Sequence, residues 1–392
     1  MGVDRALVDA WLGRHIRPAQ GSFPSPWDPF SGAFPTVDGS WIHTHANAPH
    51  HRAALLTALA LPDAQTVEEV SAAIAHRGAD ELESAIVSAG GAAAALRTRA
   101  EWMRSAPGSA VAAEPLIART DSGPARSGAT WRPEPARPLA GLRVLDLTRV
   151  IAGPAATQVL AGLGADVLRI DPDTWDEPAV LPYVMAGKRS ARLDAKTPAG
   201  RRALADLLAS ADVLVHGYRA GALDHLGLGE GERQRLRPGL VEVGVRAYGW
   251  SGPWAGRRGF DSLVQFSTGI ADIGRRHADA AAPVSLPVQA LDWTTGYLAA
   301  AAAVAGITRR QVSGRGSTWR LSLASTAHAL TTLEGEGAAS DSGADSAVGA
   351  GQRIETQDGA LLLAPPPFRV GEATLRFDRV TTRLGGDPPA WL

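Results

Sequence analysis

The alternation of apolar runs and polar breaks changes character partway along this chain. Between Val144 and Asp171, VLDLTRVIAGPAATQVLAGLGADVLRID places two short apolar runs on either side of a small-residue stretch. That order predicts strand, tight loop, helix and strand. Strands are predicted near 143–147, 166–170, 212–216 and 240–246, and helices near 155–163 and 197–210. Thr197-Pro198 supplies a capping hydroxyl and a first-turn proline for the second helix. Strand and helix in steady alternation predict a parallel sheet. A long helix from Trp293 to Thr308 and a strand at 318–323 complete this block.

The pattern before it is different. GAFPTVDGSWIHTHA alternates around Asp38-Gly39 and predicts a hairpin. PHHRAALLTALAL and the stretch from Thr66 to Arg104 carry helical spacing, with Thr66 and a nearby Glu as a start signal and a break at Gly90-Gly91. Pro, Ser, Gly and Arg crowd 118–138, which reads as a linker, and 331–352 reads as a flexible segment. FPTVDGSWIHTHA and IETQDGALLLAPP share a Thr-x-Asp-Gly turn before an apolar run. The expected fold class is α/β: a Rossmann-like parallel-sheet domain over 139–330, plus a smaller α+β domain built from both chain ends, 1–117 and 353–392.

Composition narrows the function classes. Lys and Arg number 39 against 40 Asp and Glu, so no broad polyanion-binding surface is implied. The absence of cysteine removes disulfides, thiolate metal sites and cysteine nucleophiles. The longest low-polarity run, GYLAAAAAVAGI, is too short to cross a bilayer, and position 6 is Ala6 where a myristoylation signal needs Ser or Thr. No nucleic acid or membrane partner is expected, and the location read from these features is cytoplasmic. Abundant Ala, Gly and Arg with little Lys fits a GC-rich bacterial gene. His43, His45, His50 and His51 crowd one short piece without an obvious third anchoring acid, so no metal site is assigned.

The strand–loop–helix–strand unit is a nucleotide-type frame, with Asp171 where a dinucleotide enzyme places its ribose-binding acid. Its loop, Ile151-Ala152-Gly153-Pro154, lacks the Gly-x-Gly-x-x-Gly turn that lets a backbone approach a pyrophosphate. Pro154 suits a first helical turn and leaves nearby amides facing an anion.

RPLAGLRVLDLTRVIAGPAATQVLAGLGADVLRID resembles the opening of the family III CoA-transferases, the CaiB/BaiF superfamily that includes formyl-CoA transferases and α-methylacyl-CoA racemases. The resemblance continues in order through GKRSARLDAKTPAGRRAL, ADVLVHGYRAGALDHLGLG, VGVRAYGWSGPWAGRRGFDSLVQFSTGI and the stretch from Leu286 to Leu323. Family members begin with the strand that starts here at Arg143, so the first 117 residues resemble a small-domain segment moved to the front.

The resemblance implies transfer of CoA between an acyl-CoA thioester and a carboxylic acid, by an interlocked homodimer without a permanently bound cofactor. It places the nucleophile at Asp292, in ALDWTTGYLAAAA. An Asp before a helix is also an ordinary N-cap, and the two roles are compatible because a carboxylate has two oxygens. The helix N-terminus is expected to keep it ionised. By family placement Val150, Ile151 and Ala152 line the adenine end of CoA. Arg169, Lys188, Arg189, Tyr218, Arg219, Arg246 and Tyr248 lie in blocks facing the nucleotide and its phosphates, or else form part of the solvated surface. Gly349 and Gly351 are candidate oxyanion donors or parts of the flexible segment. Racemase relatives carry His in a Gly-His-Asp triplet, whereas this chain has Gly259-Phe260-Asp261, and phenylalanine moves no proton. A racemase using another group, such as His328, and an acyl-CoA-binding protein without turnover are the alternatives.

Overall fold

The structure, a computed structural model, describes residues 2–4, 7–8, 11–12, 15–125, 131–333 and 351–392. A seven-stranded sheet organises the centre: β1 Ala118–Pro124, β2 Arg143–Leu147, β3 Asp166–Asp171, β4 Arg189–Arg192, β5 Val213–His216, β6 Val241–Arg246 and β7 Arg315–Ser322. Its spatial order is β1-β7-β6-β5-β2-β3-β4. All neighbours are parallel except β1, which runs antiparallel to β7. Every residue of β5 is buried, as a strand covered on both faces requires.

Two of these strands correct the sequence reading. Residues 118–124, expected in a linker, form the edge strand β1. An edge strand needs only one hydrogen-bonded side, so a polar composition is tolerated there. RSAR was not expected to be a strand; as β4 it pairs with β3, and the Arg189 guanidinium satisfies Asp166 at 2.9 Å.

Helix α1, Ala152–Gly162, follows β2, and all of its residues are buried. α2, Pro198–Ala209, starts where expected, with the Thr197 hydroxyl accepting the Gly200 N–H at 3.0 Å and Pro198 in the first turn. α3 spans Asp261–Thr268, α4 spans Ala290–Ser313 and α5 spans Leu323–Thr332. α4 lies directly on α1. A Cβ on Gly296 would sit 2.6 Å from the Ala152 carbonyl oxygen and 2.9 Å from the Ala155 Cβ, so glycine permits the approach.

The N-terminal region builds its own sheet from Gly32–Pro35, Trp41–Thr44 and Ala93–Ala95, packed with helices Pro49–Leu59, Val67–Ile74 and Ala79–Ser88. The alanine strand falls where helical spacing was expected; its Ala94 and Ala95 pair with His43 and Ile42. The chain ends meet, since Ile16–Pro18 joins the hairpin of Gln352–Thr356 and Gly359–Leu363. Both Thr-x-Asp-Gly turns join hairpin strands, yet the two hairpins belong to separate sheets. The segment expected to be flexible lies outside the described residues from 334 to 350. Among the described residues no helix is long and apolar enough to cross a membrane.

Candidate active site

The loop between β2 and α1 is held in an unusual conformation. Val150 has φ 65°, a left-handed geometry that is costly for a β-branched residue. Its N–H donates to Glu177 Oε2 at 3.0 Å, and the other oxygen of Glu177 accepts from Arg169 at 2.6 Å. The buried ion pair thereby anchors the loop. Val150 and Ile151 stand between two cavities, of about 450 Å³ and 370 Å³, and line both.

Asp292 also lines both cavities. α4 starts at Ala290, so Asp292 is its third residue; Gln289 is the N-cap, and no side chain caps this end. The N-cap expectation is therefore corrected. Among the described residues nothing donates a hydrogen bond to the Asp292 carboxylate, which is 7% exposed. Its backbone N–H donates to Asp261 Oδ2 at 2.9 Å, while Gln265 Nε2 donates to Asp261 Oδ1 at 2.5 Å. Burial raises the Asp292 pKa well above the usual carboxylate range, and the neighbouring Asp261 adds to the rise. Burial likewise pushes Asp261 up to about 6. The expected ionisation by the helix N-terminus is overridden, because desolvation and a like charge both oppose a second carboxylate.

The larger cavity is cationic. Arg149, Arg219, Arg246, Arg257 and Arg258 line it, with His50 and His51. Arg246 stacks on Trp250 at 3.9 Å, and its Nε is buried without a partner. Its pKa is lowered by burial and then by Arg320; that of Arg258 is lowered by burial and then by Arg219. Arg257 is paired with Glu83 at 2.9 Å and Arg149 with Asp171 at 3.4 Å, so among the described residues Arg219, Arg246 and Arg258 are the lining cations without a carboxylate partner, a set suited to an anion.

Of the residues expected from sequence, Val150, Ile151, Ala152, Tyr218, Arg219, Arg246 and Asp292 line this cavity. Four others are placed elsewhere. Arg169 is fully buried and is bound to Asp171 and Glu177. Lys188 is fully buried, donating to Asp146 at 3.0 Å, the Pro154 carbonyl at 2.7 Å and Thr157 at 2.5 Å. Arg189 is held by Asp166 and the Ala390 carbonyl. Tyr248 is buried, with its hydroxyl 2.9 Å from Ser267. Internal partners therefore already occupy these groups, and none of the four faces the cavity.

Sequence reasoning missed Arg149, Arg257, Arg258, His50, His51 and Asp261. Arg149 adjoins Val150, and Arg257-Arg258 immediately precede Gly259-Phe260-Asp261, so adjacency to the motifs was the usable signal. Gly349 lies outside the described residues; Gly351 sits against Leu363 and lines neither cavity. His328, on α5, lines neither. The histidine cluster is aromatic packing: His45 lies flat on Phe260 at 3.5 Å, and His43 meets Phe266 edge-on at 5.0 Å. Among the described residues no group of three or more His, Asp or Glu could hold a metal ion.

The family model named CoA-transferase family III matches residues 139–361. This chain belongs to CoA-transferase family III. Similar curated proteins include the mouse succinyl-CoA:glutarate CoA-transferase, 34% identical over 194 residues that cover 46% of this chain and 44% of that protein. An acyl-CoA transferase of Gibberella moniliformis is 33% identical over 276 residues, 66% of this chain and 47% of that one. Among solved structures, Rv3272 of Mycobacterium tuberculosis is 30% identical with a TM-score of 0.47, covering 50% of this chain and 58% of that one. The family III chain spans less than half the length of these two curated relatives. The parallel-sheet domain from β2 to β7 falls within the matched residues, as do Asp261 and Asp292.

Proposed function

We propose that this protein transfers CoA between an acyl-CoA thioester and a carboxylic acid through a covalent intermediate on Asp292. A Asp292 carboxylate oxygen attacks the thioester carbonyl carbon, the C–S bond breaks, and a mixed anhydride and CoA thiolate form. The thiolate then attacks the aspartyl carbonyl carbon and expels the first acid as its carboxylate, leaving an aspartyl-CoA thioester. The acceptor carboxylate repeats both steps in the opposite sense and departs as the new acyl-CoA. Dividing the exchange into covalent steps suits a weak nucleophile, and holding the long CoA moiety supplies the orientation that each step needs.

One observation carries the proposal: Asp292 lines both an arginine-rich cavity and an aromatic one, and its carboxylate is not engaged by any described donor. In this reading Arg219, Arg246 and Arg258 take the CoA phosphates, and Val150, Ile151 and Ala152 flank the nucleotide. Asp292 must lose its proton before it attacks, and the arginines of the larger cavity favour its charged form. Phe260 occupies the position of the racemase histidine and carries no proton, which favours transfer over α-proton exchange.

The test is chemical trapping. The protein is incubated with acyl-CoAs and treated with hydroxylamine or borohydride, and the peptide containing Asp292 is weighed. A modified Asp292 peptide that vanishes in Asp292→Ala supports the mechanism. Binding of acyl-CoA without an adduct, unchanged in Asp292→Ala, would leave a binding protein without turnover. The same reading includes a cytoplasmic, interlocked homodimer; light scattering showing a monomer at working concentration would remove the dimer.

A further inference from the structure

The smaller cavity has a chemistry of its own, and on the reading just proposed it receives the acyl group. Its wall is aromatic: Phe23, Trp27, Tyr183, Phe260 and Trp293 line it. Phe23 meets Tyr183 edge-on at 5.3 Å between ring centroids, and Trp27 meets His45 edge-on at 6.1 Å. An additional ring fits such a wall in the offset or edge-to-face geometries that aromatic pairs prefer. The volume of about 370 Å³ is at the small end of ligand sites, which run from about 300 to 1,000 Å³.

Charge narrows the choice further. The ionisable acids lining this cavity are Asp261 and Asp292, and among the described lining residues none is Lys or Arg. A second carboxylate on the acyl chain would lie unpaired beside two acids in a desolvated chamber. The spare polar atoms are neutral. Ser262 Oγ, His45 Nδ1 and Trp293 Nε1 are buried without partners, and they suit a neutral polar substituent rather than an anion.

We infer that the smaller cavity selects the acyl group of a small aromatic monocarboxylic acid over that of a dicarboxylic acid. The aromatic ring lies against Trp27 and Phe260, with its carboxyl carbon directed to Asp292. Trp27, 39% exposed, forms the mouth, so it can be replaced without opening the core.

Calorimetry on the full chain with CoA, phenylacetyl-CoA and glutaryl-CoA tests this. Phenylacetyl-CoA is expected to bind about tenfold tighter than CoA, and glutaryl-CoA no tighter than CoA. Trp27→Ala should lower the ratio of phenylacetyl-CoA to CoA affinity. Glutaryl-CoA matching or exceeding phenylacetyl-CoA, or a ratio unmoved in Trp27→Ala, would overturn the inference while leaving the CoA reading intact. Failure of CoA itself to bind would sink that reading, and the inference with it.

Discussion

Replacing Gly296 with alanine tests whether the approach of two helices sets the position of Asp292. The new Cβ would lie 2.6 Å from the Ala152 carbonyl oxygen and 2.9 Å from the Ala155 Cβ, both on α1. Carbon atoms prefer about 3.5–4.0 Å, so α4 and α1 must separate by roughly 0.5–1 Å. Overpacking of this kind costs about 1–3 kcal/mol, against a gain of up to about 1 kcal/mol from alanine's helix propensity. Gly231, in the helix Glu230–Leu236, provides the control, because its added Cβ would meet nothing within 4 Å. Gly296→Ala should therefore be about 1–3 kcal/mol less stable than Gly231→Ala, measured from denaturation midpoints at constant slope. Asp292 lies one turn before Gly296 on the same helix face, so CoA transfer should fall by about 10- to 100-fold. If Gly296→Ala matched the control in stability and retained wild-type turnover, the packing argument would be refuted.

Asp261→Asn removes the like charge beside Asp292 while keeping an oxygen to accept its backbone N–H. Asp292 must be ionised to attack and its pKa is raised, so transfer falls as pH drops through that pKa; the acid limb should move to lower pH in the variant. An unmoved or upward-moving limb in the pH–rate profile counts against the carboxylate pairing. Burial depresses His15 and His43 to about 4, and His45 and His51 to about 3, so the unfolded chain binds more protons between these values and about 6.5. Their contribution to stability is complete above that window and is lost as pH falls through it; Asp261, raised to about 6, and Asp292, raised well above the usual carboxylate range, act in the opposite sense. Denaturation from pH 6.5 to 5 should show a net uptake of about one or two protons on unfolding, and a stability that rises toward low pH would refute the assignment. Lys188→Met leaves Asp146 buried without its cation and should cost about 3–5 kcal/mol while leaving CoA affinity unchanged. Weaker CoA binding at unaltered stability would return Lys188 to the phosphate site.

Local structure was legible where a short-range cause acts. The largely apolar stretch Val144–Leu147 and the Thr197-Pro198 cap commit a few neighbouring residues and place their elements as expected, while the small-residue helix forms as expected but extends further at both ends, from Ala290 to Ser313. The misreadings share a cause in distant partners. Ala93–Ala95 is a strand because Ile42, His43 and Thr44 pair with it, and residues 118–124 are a strand because β7 offers a free edge. In neither case does the residue composition announce the partner.

The candidate site divides along the same line. Sequence by itself determined the β2–loop–α1 frame, the ordered motif blocks and the presence of a carboxylate at the start of α4. It supplied more arginines and lysines than an anion site needs, and only the tertiary structure decided which remained available. Lys188 is neutralised by Asp146, 42 residues away, and Arg189 by Asp166, 23 residues away, while Arg219 and Arg246 face the cavity. The ionisation of Asp292 was likewise decided by burial and by Asp261, 31 residues earlier. The physical reason is that availability and protonation depend on neighbours in space, and the fold chooses those neighbours after the local chain has set its own conformation.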